Sequence, residues 1–225
     1  DRAPGRRLLL FSASFFLLFL AVYGLHYPFR ELPFWGDSIG YMVLNTRHMA
    51  ENHTVFGPAG HDPGHPPLCF LALWGFWTVF GHTALAGHLC EWFWTAWLIA
   101  GAGFLGHLFS GRSRLAAFFA MAFVALHPHY YALANSLLIE VPMAAFFLWM
   151  LYAFHAKRPA LFVVATALLA LSKINALVLL FAFLAVEMGL FPAARLVRLW
   201  RHREERNRLA RDWFRWAALT AIGLA

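Results

Sequence analysis

The sequence predicts an all-α integral membrane protein, a polytopic helical bundle, and three observations carry that expectation. Of its 225 residues 61% are hydrophobic and only 13% charged, whereas about a quarter of a soluble domain is charged. The apolar residues gather into runs, several long enough to cross roughly 30 Å of hydrocarbon at about 1.5 Å per residue. The eighteen Lys and Arg residues cluster between alternate runs, which sets an orientation.

Arg2, Arg6 and Arg7 precede the first run, residues 8–25. A signal peptide shares that layout, but this run is long for one and no small-residue cleavage pattern follows, so it reads as an anchor. Residues 27–81 then form an outer-face loop with two juxtamembrane helices. Its prolines, at 28, 33, 58, 63, 66 and 67, confine the first helix to residues 37–51. With Asp37 or Ser38 as N-cap, that helix turns Ile39, Met42, Val43 and Met49 toward lipid and Arg47 and Glu51 toward water. Pro66 and Pro67 suit the first turn of the second helix, residues 67–81. Its apolar stretch is too short to span, so it lies in the outer face with Trp74 and Trp77 in the aromatic belt.

Spans follow at 83–109, 115–132, 138–155, 159–172 and 174–192, and another begins near Trp216. The total is about six complete spans and a truncated seventh. With the N-terminus cytoplasmic, fifteen of the eighteen Lys and Arg residues lie inside and only Arg30, Arg47 and Lys173 outside, as the positive-inside rule requires. Residues 193–215 carry eight arginines interleaved with Leu, Val, Trp and Phe, a basic amphipathic helix for the cytoplasmic leaflet. Anionic headgroups, at about 1 kcal/mol per cation, account for the net charge of +7 without nucleic acid. Cys69 and Cys90 sit in apolar stretches and read as buried thiols, neither a disulfide framework nor paired zinc ligands. The chain starts without Met and stops inside an apolar run, which predicts the N-terminal transmembrane module, residues 1–225, of a longer protein.

Chemistry concentrates on the outer side. Trp35-Gly36-Asp37-Ser38-Ile39-Gly40-Tyr41 places a carboxylate where the chain leaves the bilayer, with Tyr41 one helical turn further on. Glu140 opens the 138–155 span, at a depth where a carboxylate is costly and usually functional. Lys173 closes the 159–172 span, and Glu91 lies within reach of His88 inside the bundle. His61, Asp62 and His65 have a spacing that a divalent ion could use, although loop clusters of this kind more often are not ligands.

These pieces resemble the GT-C superfamily of membrane glycosyltransferases, the class holding protein O-mannosyltransferases and the lipid A aminoarabinose transferase. The resemblance covers residues 8–192 and rests on order. A basic N-terminus and first helix lead to Asp37 and Tyr41, then Arg47, then Gly64-His65-Pro66-Pro67-Leu68 before a short apolar helix. Leu126-His127-Pro128, Glu140-Val141-Pro142 and Ala170-Leu171-Ser172-Lys173 complete the series. Many members have Asp-Glu where this chain has Asp37-Ser38, and Lys where it has His65.

The resemblance implies a bacterial inner-membrane enzyme that moves a sugar from a polyprenyl-phosphate donor to an acceptor hydroxyl on the outer, periplasmic face, with inversion. Asp37 would be the base, and Tyr41, Arg47, His65, Glu140 and Lys173 would bind substrate and phosphate around one outward-opening cavity. Metal dependence stays open, because the superfamily holds both kinds of member. The rival expectation is a non-catalytic GT-C-like subunit of a membrane complex.

Overall fold

The computed structural model describes residues 4–55, 65–187 and a few positions between 211 and 223. Among the described residues the regular structure is entirely helical. Helix α1 (Pro4–His26) is followed by a single 3-10 turn at Pro28 and a π-helical segment (Ser38–Val43) that continues into α2 (Leu44–Asn52). Then come α3 (Leu68–Phe80), α4 (Ala84–Phe109), α5 (Arg114–Leu126), α6 (Pro128–Leu133), α7 (Glu140–His155), α8 (Pro159–Ala170) and α9 (Ala176–Ala185).

Local chemistry sets most of these limits. Pro67 occupies the N-cap position of α3, and Gly81 ends it at φ 79°, a conformation that suits glycine. Thr83 and Ser113 cap α4 and α5 by accepting from the amides of Ala86 and Ala116, each at 3.2 Å, as good N-caps do. Pro128 pushes His127 into an extended conformation at ψ 123°, as expected for the residue before a proline. The expected 115–132 span is therefore interrupted, and α5 ends at Leu126.

Two helical stretches, Leu9–Phe29 and Ala84–Phe109, are long and apolar enough to cross a membrane. Helices α3, α5, α8 and α9 are apolar but shorter, at 10–17 residues, and the sixteen residues of α7 rise only about 24 Å. The basic segment 193–215 lies outside the described residues apart from Arg211 and Arg215.

Helix α4 is the hub, with α1, α3, α5 and α7 packed on it and α8 packed on α7. Its approach to α5 depends on glycine: a Cβ at Gly106 would lie 2.8 Å from the Ala120 Cβ and 3.0 Å from the Ala116 carbonyl oxygen. Because the second obstacle is backbone, Gly106→Leu should force the helices apart and cost about 1–3 kcal/mol or more. A fall in the thermal midpoint in detergent would show this, with Gly75→Leu, which meets nothing within 4 Å, left near the parent value. An unchanged midpoint for Gly106→Leu would contradict the packing.

Long-range contacts define two ends. At one, Phe109 of α4 meets His155 of α7 with ring centroids 5.0 Å apart, and Lys157 lies 5.7 Å from the Trp216 ring. At the other, the end of α1 meets the α6–α7 connection through His26 and Asn135, whose amide nitrogen lies 3.0 Å from the imidazole Nδ1. The turns bearing Arg112, Arg114, Lys157 and Arg158 belong to the first end. The segments bearing Asp37, Glu140 and Lys173 belong to the second.

Candidate active site

The segment around Asp37 is shaped by Gly36, whose φ of 55° turns the chain so that its carbonyl accepts from Ile39 and Gly40 at 3.1 and 2.9 Å. The π-helical turns that follow are rare and gather at functional positions. Asp37 holds the N-cap position but makes no capping hydrogen bond, and its side chain is exposed. The carboxylate is therefore not committed to closing the helix. Its neighbour Ser38 is buried, and the hydroxyl donates to the Ser136 carbonyl in the α6–α7 connection.

That connection continues into Glu140, the first residue of α7, whose carboxylate pairs with Lys173 just beyond the end of α8. Both partners sit where helix dipoles favour their charge, an acid at an N-terminus and a base past a C-terminus. The side chains are 39% and 16% exposed respectively, so solvent screens the pair only partly. The second Glu140 oxygen is shielded from solvent and has no hydrogen-bond partner among the described residues.

The residues before Lys173 hold α3. Leu68 donates its amide to the Leu171 carbonyl at 3.2 Å, and the Cys69 thiol donates to the Ser172 carbonyl at 3.8 Å. The Leu68 amide, one of those that a helix N-terminus leaves without an intrahelical partner, thus meets a carbonyl at the end of α8. Burial, then the Glu91 and Glu140 carboxylates, pushes the Cys69 thiol pKa up, so it packs as an inert thiol. His65, just before the two prolines, meets the Tyr41 ring edge to face with centroids 5.9 Å apart. The Tyr41 carbonyl accepts from Asn45 at 2.8 Å.

Four contacts and the short stretches of chain between them make a circuit. Ser38 meets Ser136, Glu140 meets Lys173, Cys69 meets Ser172 and His65 meets Tyr41, and the backbone supplies the other links, including the one from Ser38 to Asp37. Asp37, Tyr41, His65, Glu140 and Lys173 are gathered by it, although they come from four separate stretches of chain. Arg47 is not. Its Nε bonds Glu51 Oε1 at 2.7 Å, both side chains are more than half exposed, and Glu51 holds the guanidinium pKa above its usual value. A cavity of about 270 Å³ lies away from these residues, among α1, α4 and α5.

Other expectations shift. Met42 and Met49 are buried in the main core at 4% and 0% exposure, and Trp77 at 7% joins them instead of an aromatic belt. Glu91 does not pair with His88, whose Nε2 lies 3.1 Å from the Leu32 carbonyl. Glu91 is instead 1% exposed and accepts from the Leu138 backbone within the 134–139 connection. Ser136 carries one signal in the sequence, the polar pair Asn135-Ser136 between apolar stretches. His61 and Asp62 lie outside the described residues, and among the described residues no group of three His, Cys, Asp or Glu side chains is placed to hold a metal.

Comparison with protein families, with curated proteins and with solved structures finds no match to this chain.

Proposed function

We propose that the chain is a polytopic membrane protein and an inverting glycosyltransferase using a polyprenyl-phosphate sugar on the outer face. The observation that carries this reading is the Ser38–Ser136 hydrogen bond, which holds the segment bearing Asp37 against the connection leading into Glu140 and its partner Lys173, at one end of the bundle. The turns bearing Arg112, Arg114, Lys157 and Arg158 at the other end support the orientation. Support for a lipid surround comes from α5, which has no buried residue and exposes Phe118, Phe119 and Phe123 by more than 60%. Helices α1 and α9 likewise expose large apolar side chains, among them Leu9, Leu17, Val178 and Phe181, and extended exposed apolar surface marks a protein or membrane contact.

In the reaction the acceptor hydroxyl attacks the anomeric carbon as the bond to the phosphate oxygen breaks. Asp37 takes the hydroxyl proton, and the departing electron pair settles on the phosphate. An ordinary aspartate is a weak base, so positioning of acceptor and donor supplies much of the rate. Lys173 is the cation held in the circuit among the described residues, and it meets the charge that develops on the leaving phosphate. Glu140, released from Lys173, accepts from a hydroxyl of the acceptor, while His65 and Tyr41 wall the site. The bound divalent ion considered from sequence remains testable by adding a chelator to the transfer assay.

A second reading, a non-catalytic subunit, is favoured by one observation: Lys173 is already occupied by Glu140 and Arg47 by Glu51. Transfer separates the two. Membranes containing the full-length protein should pass labelled sugar from a polyprenyl-phosphate donor to an acceptor, and membranes lacking it should not; equal transfer in both would favour the subunit reading.

The sidedness is tested by labelling. In a background without Cys69 and Cys90, cysteines replacing Glu51 and Ser113 should react with an impermeant reagent from opposite sides of the membrane, the Glu51 position from outside. Labelling of both from one side would overturn the topology.

A further inference from the structure

The cavity among α1, α4 and α5 is unused by the proposed reaction and lies toward the end of the bundle opposite Asp37. Its volume is about 270 Å³, and Phe11, Phe15, Phe104 and Met121 form much of its wall. That is many times the ~30 Å³ that one water occupies in the liquid, yet a buried water needs two to four polar partners. Ser14 and His107 are the polar side chains lining it. One ring nitrogen of His107 lies 3.4 Å from the Ser113 carbonyl, so this wall already has a neighbour in the α4–α5 turn. Water cannot be held well in such a space, and an empty one forfeits the contacts of its lining. Ser14 is exposed, so the cavity opens along the flank of α1.

The occupant must therefore be apolar and must enter from the side. Charge identifies it further. Arg112 and Arg114, both exposed, bracket Ser113 at the turn that the cavity-lining His107 touches, which sets two cations in the turn next to the cavity wall.

We propose that this cavity holds an acyl chain of an anionic phospholipid whose headgroup is bound by Arg112 and Arg114, a lipid site separate from the donor site. The proposal rests on the membrane reading above. Gly103 and Gly106 let α5 approach α4 closely, and α1, packed on α4, leaves the cavity between its Phe11 and Phe15 and the α5 side chain Met121. The lipid chain completes the packing that α1 leaves open.

The test uses full-length protein in phosphatidylcholine vesicles containing a minority of phosphatidylglycerol. Either lipid carries a photoactivatable acyl chain, and labelled peptides are mapped after carbonate extraction has verified membrane retention. Labelling at Phe11, Phe15, Phe104 and Met121 should favour phosphatidylglycerol. Each of R112Q and R114Q should lower that preference about fivefold, the ratio for one cation near an anionic surface. A117F and, from the other wall, S14F should reduce labelling several-fold, while F118A on the outward face of α5 should leave it unchanged.

Membrane retention with labelling confined to the outward face, or with labelling insensitive to both filling substitutions, would overturn the lipid site and leave the membrane reading standing. The same holds if a protein segment excludes the probe from the cavity. Release of the protein by carbonate would overturn both.

Discussion

Asp37→Asn should lower the rate of sugar transfer by about 10²- to 10⁴-fold, the usual effect of losing a general base, or roughly 3–5 kcal/mol of transition-state stabilisation. Asparagine keeps the size of the side chain and is as good an N-cap as aspartate, and in the structure Asp37 makes no capping bond. Expression and thermal stability should consequently match the parent. Donor affinity should change little, because the phosphate is met by Lys173. Steady-state transfer together with donor titration checks this: near-parental turnover in a well-expressed variant would remove Asp37 from the chemistry. Loss of donor binding instead would make it an organiser of the site.

The second large effect concerns the Glu140–Lys173 pair, where the two single substitutions should move donor affinity in opposite directions. Lys173→Gln removes the cation that faces the leaving phosphate and strands a half-buried carboxylate. Hydrogen bonds to charged groups contribute about 1.5–3 kcal/mol, so donor binding should weaken by roughly ten- to a hundredfold. Glu140→Gln frees Lys173 from its internal partner. Because both side chains are partly exposed, the gain should stay near 1 kcal/mol or below, about fivefold in affinity. Titration of the donor against both variants and the double variant gives the coupling between them. Equal weakening by both substitutions would make the pair a structural clamp, the outcome expected of a non-catalytic subunit.

Much of this arrangement is legible in the sequence where local chemistry decides. The limits of α3 follow from Pro67 and Gly81, and α4 begins within one residue of the expected position because Thr83 caps it. The break at Pro128 is legible too, but the continuous apolar content of residues 115–132 masks it.

What surrounds an apolar face is harder to read, because a lipid tail and a leucine are equally apolar. Met42 and Met49 lie on one stripe as expected, yet they are buried in the core shared with α3 instead of facing lipid. At Arg47 a local partner decides: Glu51, four residues on, lies within ion-pair distance on the same helix. Ser136 is invisible locally because its partner Ser38 is 98 residues away.

The measurement that bears most directly on the central claim is release of free polyprenyl phosphate by the purified full-length protein. It would be incubated with a panel of polyprenyl-phosphate sugars and an acceptor, with and without chelator. The account predicts that at least one donor is turned over and that its sugar appears on the acceptor with inverted anomeric configuration. Binding of the donors without release of lipid phosphate from any of them, under conditions where the protein stays folded, would contradict it.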